Sequence, residues 1–178
     1  QAEAVRWGVG GGVQTLWALA DGTELLQATV LGPNAAGQIA GQGDPGQGWL
    51  WSEADGLVPL PDGVTVLGLG DGGHVVGSYD AGGAAPPQAF VWSVDAGLVT
   101  LGTLGGPESR ALAVSPTGVV VGGADTAAGD EHPFRFEGEG PMQDLGLPDG
   151  GVWATSTQVA PDGTVIGRAF LGADDYVL

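Results

Sequence analysis

The side chains able to do chemistry in this chain are mostly carboxylates. Twenty-one Asp and Glu stand against four Arg, lysine is absent, and the formal net charge is −17. Histidine occurs twice, at His74 and His132, and there is no cysteine. A cysteine nucleophile, a disulfide framework and a thiolate metal site are therefore excluded, and two histidines without cysteine make a poor zinc site. Neither histidine sits in the sequence context of a nucleophile–base pair. His74 is expected at an exposed strand position and His132 in a loop, and no catalytic residue is assigned. Calcium needs six to eight oxygens, often from several carboxylates. The candidates are Asp125, Asp130 and Glu131, close together in one segment, with Asp174 and Asp175 in another. No EF-hand loop and no glycine–aspartate nonapeptide is present, and most other aspartates precede glycine, where they cap turns. Among residues that occur once rather than repeatedly, Trp17, Glu108, Arg110, Asp149 and Trp153 form the candidate ligand-binding set. A Trp beside carboxylates and an Arg can stack on a sugar ring and bond its hydroxyls. The competing reading is packing for Trp153 and an intramolecular ion pair for Arg110.

The charge balance also limits partners. Phosphate binding needs a basic surface, so nucleic acid is not expected, and an anionic membrane surface is disfavoured. No apolar run reaches the ~18 residues that a membrane-spanning helix needs. Length and apolar content, 178 residues with 43% hydrophobic, suit one compact repeat domain.

Glycine supplies 36 residues, and much of it is patterned. A five-residue motif of glycine, any residue, two apolar residues and glycine reads GQIAG at 37–41, GHVVG at 73–77, GVVVG at 118–122 and GTVIG at 163–167. A second landmark follows each: GWLW to Trp51, AFVW to Trp92, PFRF to Phe136 and DYVL to Leu178, with AVRW to Trp7 as a fifth copy. A third is a short apolar stretch ending at Leu16, Leu60, Leu101 and Leu145. The fourth precedes each motif and ends in a turn such as Pro116-Thr117-Gly118. Such short runs rich in Val, Leu and aromatics, bounded by turn residues, read as strands. Sustained helical periodicity is missing.

Labelled A to D in each unit, the strands run C-D, then A-B-C-D three times, then A-B-C. Four-stranded units of about 40 residues indicate propeller blades. The expected fold is all-β: four ~43-residue units, approximately 23–60, 61–101, 108–145 and 152–178, the last completed by 4–16. They form a four-bladed closed ring within one chain, or half of an eight-bladed ring in a homodimer made by strand exchange. Strand C occurs once too often, so Ala4–Trp7 and Tyr176–Leu178 compete for one place. Trp7, Trp51, Trp92 and Phe136 share one repeat position and are expected to pack between blades. The closing glycines are expected to mark a bend or a close backbone approach between neighbouring blades.

The segment QAFVWSVDAGLVTLGTLGGPESRALAVSPTGVVVGGAD resembles the HAF-repeat family, probable extracellular repeat proteins of bacteria. Gln88-Ala89-Phe90 and His132-Pro133-Phe134 are similar to its opening element, Leu101–Gly106 and Asp144–Leu147 to its DLG-LGG stretch, and Gly73–Gly77 and Gly118–Gly122 to its ending. The likeness covers nearly the whole chain and is closest in the two middle units. The first unit departs, with Trp17–Gly22 in place of the double-glycine stretch and Gly48-Trp49 in place of the eponymous motif. The resemblance implies an extracellular or cell-envelope location and a repeat fold, and carries no activity.

The functional expectation is a non-catalytic, secreted module that binds a protein or cell-surface polymer. A lectin-like propeller binding polysaccharide through Trp17, Trp153 and loop carboxylates is the alternative. A hydrolase or lyase using loop carboxylates is a further one.

Overall fold

The computed structural model describes residues 5–7, 13–15, 26–44 and 46–172. Every regular element among them is a strand, so no helix there is long and apolar enough to cross a membrane. Sheet I is the meander β3 (Leu26–Leu31), β4 (Ile39–Asp44), β5 (Gly48–Ser52) and β6 (Gly56–Pro59), ordered after the hairpin of β1 (Val5–Trp7) and β2 (Val13–Thr15). Sheet II holds β7 (Val64–Leu69), β8 (Val75–Tyr79), β9 (Gln88–Ser93) and β10 (Gly97–Gly102). Sheet III holds β11 (Gly105–Val114), β12 (Val120–Thr126), β13 (Glu131–Phe136) and the two-residue β14 (Gln143–Asp144). Sheet IV has two strands, β15 (Gly151–Val159) and β16 (Val165–Leu171). All the strand pairs are antiparallel and join neighbours in sequence.

The five-residue motif explains this architecture residue by residue. Its first glycine closes the turn between strands A and B. In all four turns the same two bonds recur: Gly118 N–H donates to Ser115 C=O (3.0 Å) and Ser115 N–H to Val119 C=O (2.8 Å), with the same pattern at Asn34–Gln38, Gly70–His74 and Ala160–Thr164. That geometry needs a left-handed residue in its fourth place, and Gly37, Gly73, Gly118 and Gly163 have φ of 74, 75, 86 and 86°. In the last turn the Asp162 carboxylate accepts the Thr164 N–H at 2.9 Å. That bond holds its pKa below the usual aspartate value.

The two apolar residues of the motif face opposite ways. Val75 belongs to the core between sheets I and II, with Leu50, Leu60, Val66, Phe90 and Trp92. Val76 belongs to the core between sheets II and III, with Ala89, Leu101, Ala111, Val120, Phe134 and Phe136. Sheet II is therefore buried on both faces, which is why its strands read as near-continuous apolar runs. Each such buried side chain contributes about 1.5–3 kcal/mol.

The last glycine of the motif makes its expected close approach in a different place. Its close approach is within one sheet, to strand A, and not between neighbouring sheets. A Cβ on Gly41, Gly77, Gly122 or Gly167 would be driven into the carbonyl oxygen of Thr29, Thr65, Arg110 or Thr155 respectively. In sheets II, III and IV the A–B register shifts beside this point, between Val66 and Gly68, Ala111 and Ala113, and Ser156 and Gln158, whereas in sheet I the shift lies before it, between Leu26 and Thr29. The bulge bends strand A beside the glycine in those three sheets, while Gly41 meets the Thr29 carbonyl with an unbroken ladder around it. On the other side, Trp49, Phe90 and Phe134 lie directly opposite Gly41, Gly77 and Gly122 in strand C, and all three are fully buried.

Polar side chains latch each sheet to the one before. Gln42 Nε2 donates to Val64 C=O, and its Oε1 accepts the Val66 N–H, both at 2.7 Å. Ser109 Oγ donates to Gly102 C=O (2.6 Å) and accepts the Ala89 N–H (2.8 Å). Ser156 Oγ donates to Gly122 C=O at 2.7 Å. Removing the Ser109 hydroxyl strands a buried donor on sheet II. Ser109→Ala is expected to cost about 2 kcal/mol, read as a lower urea midpoint at unchanged slope. An unchanged midpoint would show the latch to be dispensable.

Candidate functional site

A cleft of about 220 Å³ opens between sheets II and III, at the end where strands A begin and strands B finish. Its sheet II wall is Ser78 and Pro87. The opposite wall comes from three strands of sheet III: Glu108, Ser109 and Arg110 on β11, Gly123 to Asp125 on β12, and Glu131 on β13. Two members of the expected binding set, Glu108 and Arg110, are thus brought together with two of the five calcium candidates, Asp125 and Glu131.

The ladder dictates how they meet. Arg110 and Pro133 both lie opposite Gly123, and Glu131 lies opposite Asp125. Arg110 reaches across the middle strand, placing Nη2 2.8 Å from both oxygens of Glu131. It can cross because Gly123 has no side chain. A Cβ there would be forced into Glu131 Oε1 and would sit 2.7 Å from Thr155 Oγ1. The ion pair is partly solvated, with side-chain exposures of 46% and 21%, so it adds at most about 1 kcal/mol to stability. Its effect is to fix the Arg110 head and neutralise one carboxylate. Glu108 and Asp125 make no side-chain hydrogen bond to any of the described residues. The cleft thus offers two free carboxylates around one compensated pair.

The remaining candidates lie elsewhere. Asp149 is exposed in the turn before β15. Trp153, on β15, stacks on Phe170 across the strand pair, with ring centroids 6.2 Å apart and planes 6° from parallel. Trp17, Asp174 and Asp175 lie outside the described residues. Asp130 is exposed in the turn between β12 and β13. Among the described residues, no three His, Asp or Glu side chains gather into a group that could hold a metal ion.

Both histidine placements differ from expectation. His74 closes a strand A–B turn and is half-buried, its Nδ1 shielded from solvent with no hydrogen-bond partner. His132 lies in β13 instead of a loop, and its Nδ1 is 2.9 Å from both carboxylate oxygens of Asp144 on β14. That contact ties the short last strand of sheet III to its neighbour. Neither ring bonds a serine or threonine hydroxyl among the described residues, so no activated nucleophile is assembled there.

Sequence reasoning passed over Gly123 and Ser78. Gly123 was legible as the second of a glycine pair, Gly122-Gly123, where the other units carry Gln42, Ser78 and Arg168. Ser78 carries no signal, because its role as a wall appears only when two sheets stack. No family model, curated protein or solved structure matches this chain, so its likeness to HAF repeats rests on the motifs alone.

Proposed function

We propose that this protein is a non-catalytic interaction module whose acidic cleft grips a cationic side chain of a protein partner. The observation that carries the reading is the cleft itself, where Glu108 and Asp125 stand free beside the Arg110–Glu131 pair. About 220 Å³ suits a guanidinium or ammonium head and its last methylenes, and is small beside the pockets that enclose whole small molecules. Charge-assisted bonds from such a head to the two carboxylates supply orientation as well as affinity. The surrounding charge of −17 adds long-range attraction for a basic partner. An extracellular or envelope setting follows from the HAF resemblance.

Our reading of the fold is a four-sheet ring. Its support is one repeat position: Ala40, Val76 and Val121 are fully buried, while their counterpart Ile166 on sheet IV is 58% exposed. In the ring, sheet I covers that face as each sheet covers the one before.

The cleft is tested by titrating an arginine-containing tripeptide amide into labelled protein at physiological salt. Amide shifts are expected to concentrate at Ser109, Gly123 and Ala124, and to weaken at least tenfold in the double substitution Glu108→Gln, Asp125→Asn, which removes two charge-assisted bonds. Small shifts spread over the acidic surface, equal in both proteins, would defeat the reading. A second reading, sugar binding, is favoured by the Trp153–Phe170 stack, and a neutral oligosaccharide moving only those two residues would replace the first.

A further inference from the structure

Sheet IV is half a sheet. Its two strands are an inner hairpin of the A–B kind, with the closely approached glycine of the other three and the bulge of sheets II and III. The outer edge of β16 pairs with no described strand. The hairpin β1–β2 has the complementary shape. Its register sets Trp7 opposite Val13, as Trp51 lies opposite Leu57 and Trp92 opposite Leu98. It sets Arg6 opposite Gln14, the same residue types in the same place as Arg135 opposite Gln143. β1–β2 is therefore an outer C–D hairpin without its inner half.

We infer that β1–β2 of the same chain completes sheet IV, with β1 antiparallel to β16 in the register Val165 opposite Trp7, Ile166 opposite Arg6 and Gly167 opposite Val5. The register follows from the three complete sheets. In each, the last glycine of the motif faces the residue two before the final aromatic of strand C: Gly41 with Trp49, Gly77 with Phe90 and Gly122 with Phe134. The sixteen described strands then divide into four sheets of four. A tethered hairpin reaches an unpaired edge at millimolar effective concentration, whereas two copies carrying −17 each repel one another. This inference rests on the ring reading, because only a closed ring brings the first strands of the chain beside the last sheet. The rival occupant is the segment Tyr176–Leu178, outside the described residues, which the sequence pattern would pair with Val177 opposite Ile166.

The absence of cysteine makes disulfide trapping clean. Directly opposed strand residues have Cα atoms ~4.5–5.5 Å apart, within disulfide reach. The pair Arg6→Cys, Ile166→Cys should oxidise within the monomer to near completion, as should the reference pair Val121→Cys, Arg135→Cys inside sheet III, which shows that such variants fold. Oxidation of Val177→Cys, Ile166→Cys in its place, cross-linking only between chains, or no cross-link beside a working reference would each overturn the inference. X-ray scattering of the unmodified protein separates this from failure of the ring. A radius of gyration near 16 Å for 178 residues keeps the ring whichever segment closes it, and a clearly larger value removes it.

Discussion

Replacing Gly77 by alanine is expected to cost more than about 3 kcal/mol, beyond the usual range for overfilling a core. The colliding atom is the Thr65 carbonyl oxygen of the strand A backbone, not the end of a flexible side chain. Behind it, Phe90 Cε1 would lie 3.0 Å from the new methyl group, so the glycine cannot retreat. Relief requires β7 to lose its bulge or β8 to shift register, and β8 supplies Val75 to one inter-sheet core and Val76 to the other. A domain of this size has only ~5–15 kcal/mol in hand, so much of the chain should be unfolded near 37 °C. Gly140→Ala is the control: it lies in an exposed turn, with the nearest atom 3.8 Å from the added carbon, and should be nearly neutral. Urea unfolding of the two variants side by side decides the matter. Equal midpoints would mean that the strand A crossing is soft and that the motif's last glycine has another cause.

Trp92→Ala is expected to lower stability by roughly 3–5 kcal/mol. Trp92 is 6% exposed and packs with Leu50, Leu60 and Val66 between sheets I and II. Truncation leaves a void bounded by two rigid sheets, which collapse poorly around it. For a chain of this length the loss corresponds to a fall of roughly 6–20 °C in Tm. A melt unchanged from the parent would show that the repeated aromatic does not hold the sheets together.

The repeat made much of the fold legible. Period, strand order and the role of the first motif glycine all follow from turn chemistry and apolar runs, because those signals are local. The last motif glycine reads as a bend or a contact between blades, and its contact lies within one sheet instead. Its constraint is the close crossing of a strand A carbonyl, beside a bulge in three of the four sheets, and a bulge leaves no residue-type signature when the inserted position can be Leu67, Leu112 or Thr157. The site was half legible. Glu108 and Arg110 stood out as unrepeated charges, yet their grouping with Asp125 and Glu131 depends on two strand crossings and on Gly123. Trp153 stood out for the same reason and went elsewhere, because its partner Phe170 occupies a position that carries Asp44, Asp80 and Asp125 in the other units.

The meander connectivity of sheets I to III has a consequence for how the chain is made. Each hydrogen-bonded strand follows its partner in sequence, so a sheet needs nothing from later in the message. Hairpins close in microseconds, while a ribosome adds only ~5–20 residues each second. Sheet I can therefore be complete before sheet II has left the exit tunnel, and each new sheet condenses on a finished surface. Biosynthesis becomes layer-by-layer growth on a template, in which an error in one layer is confined to its two neighbours.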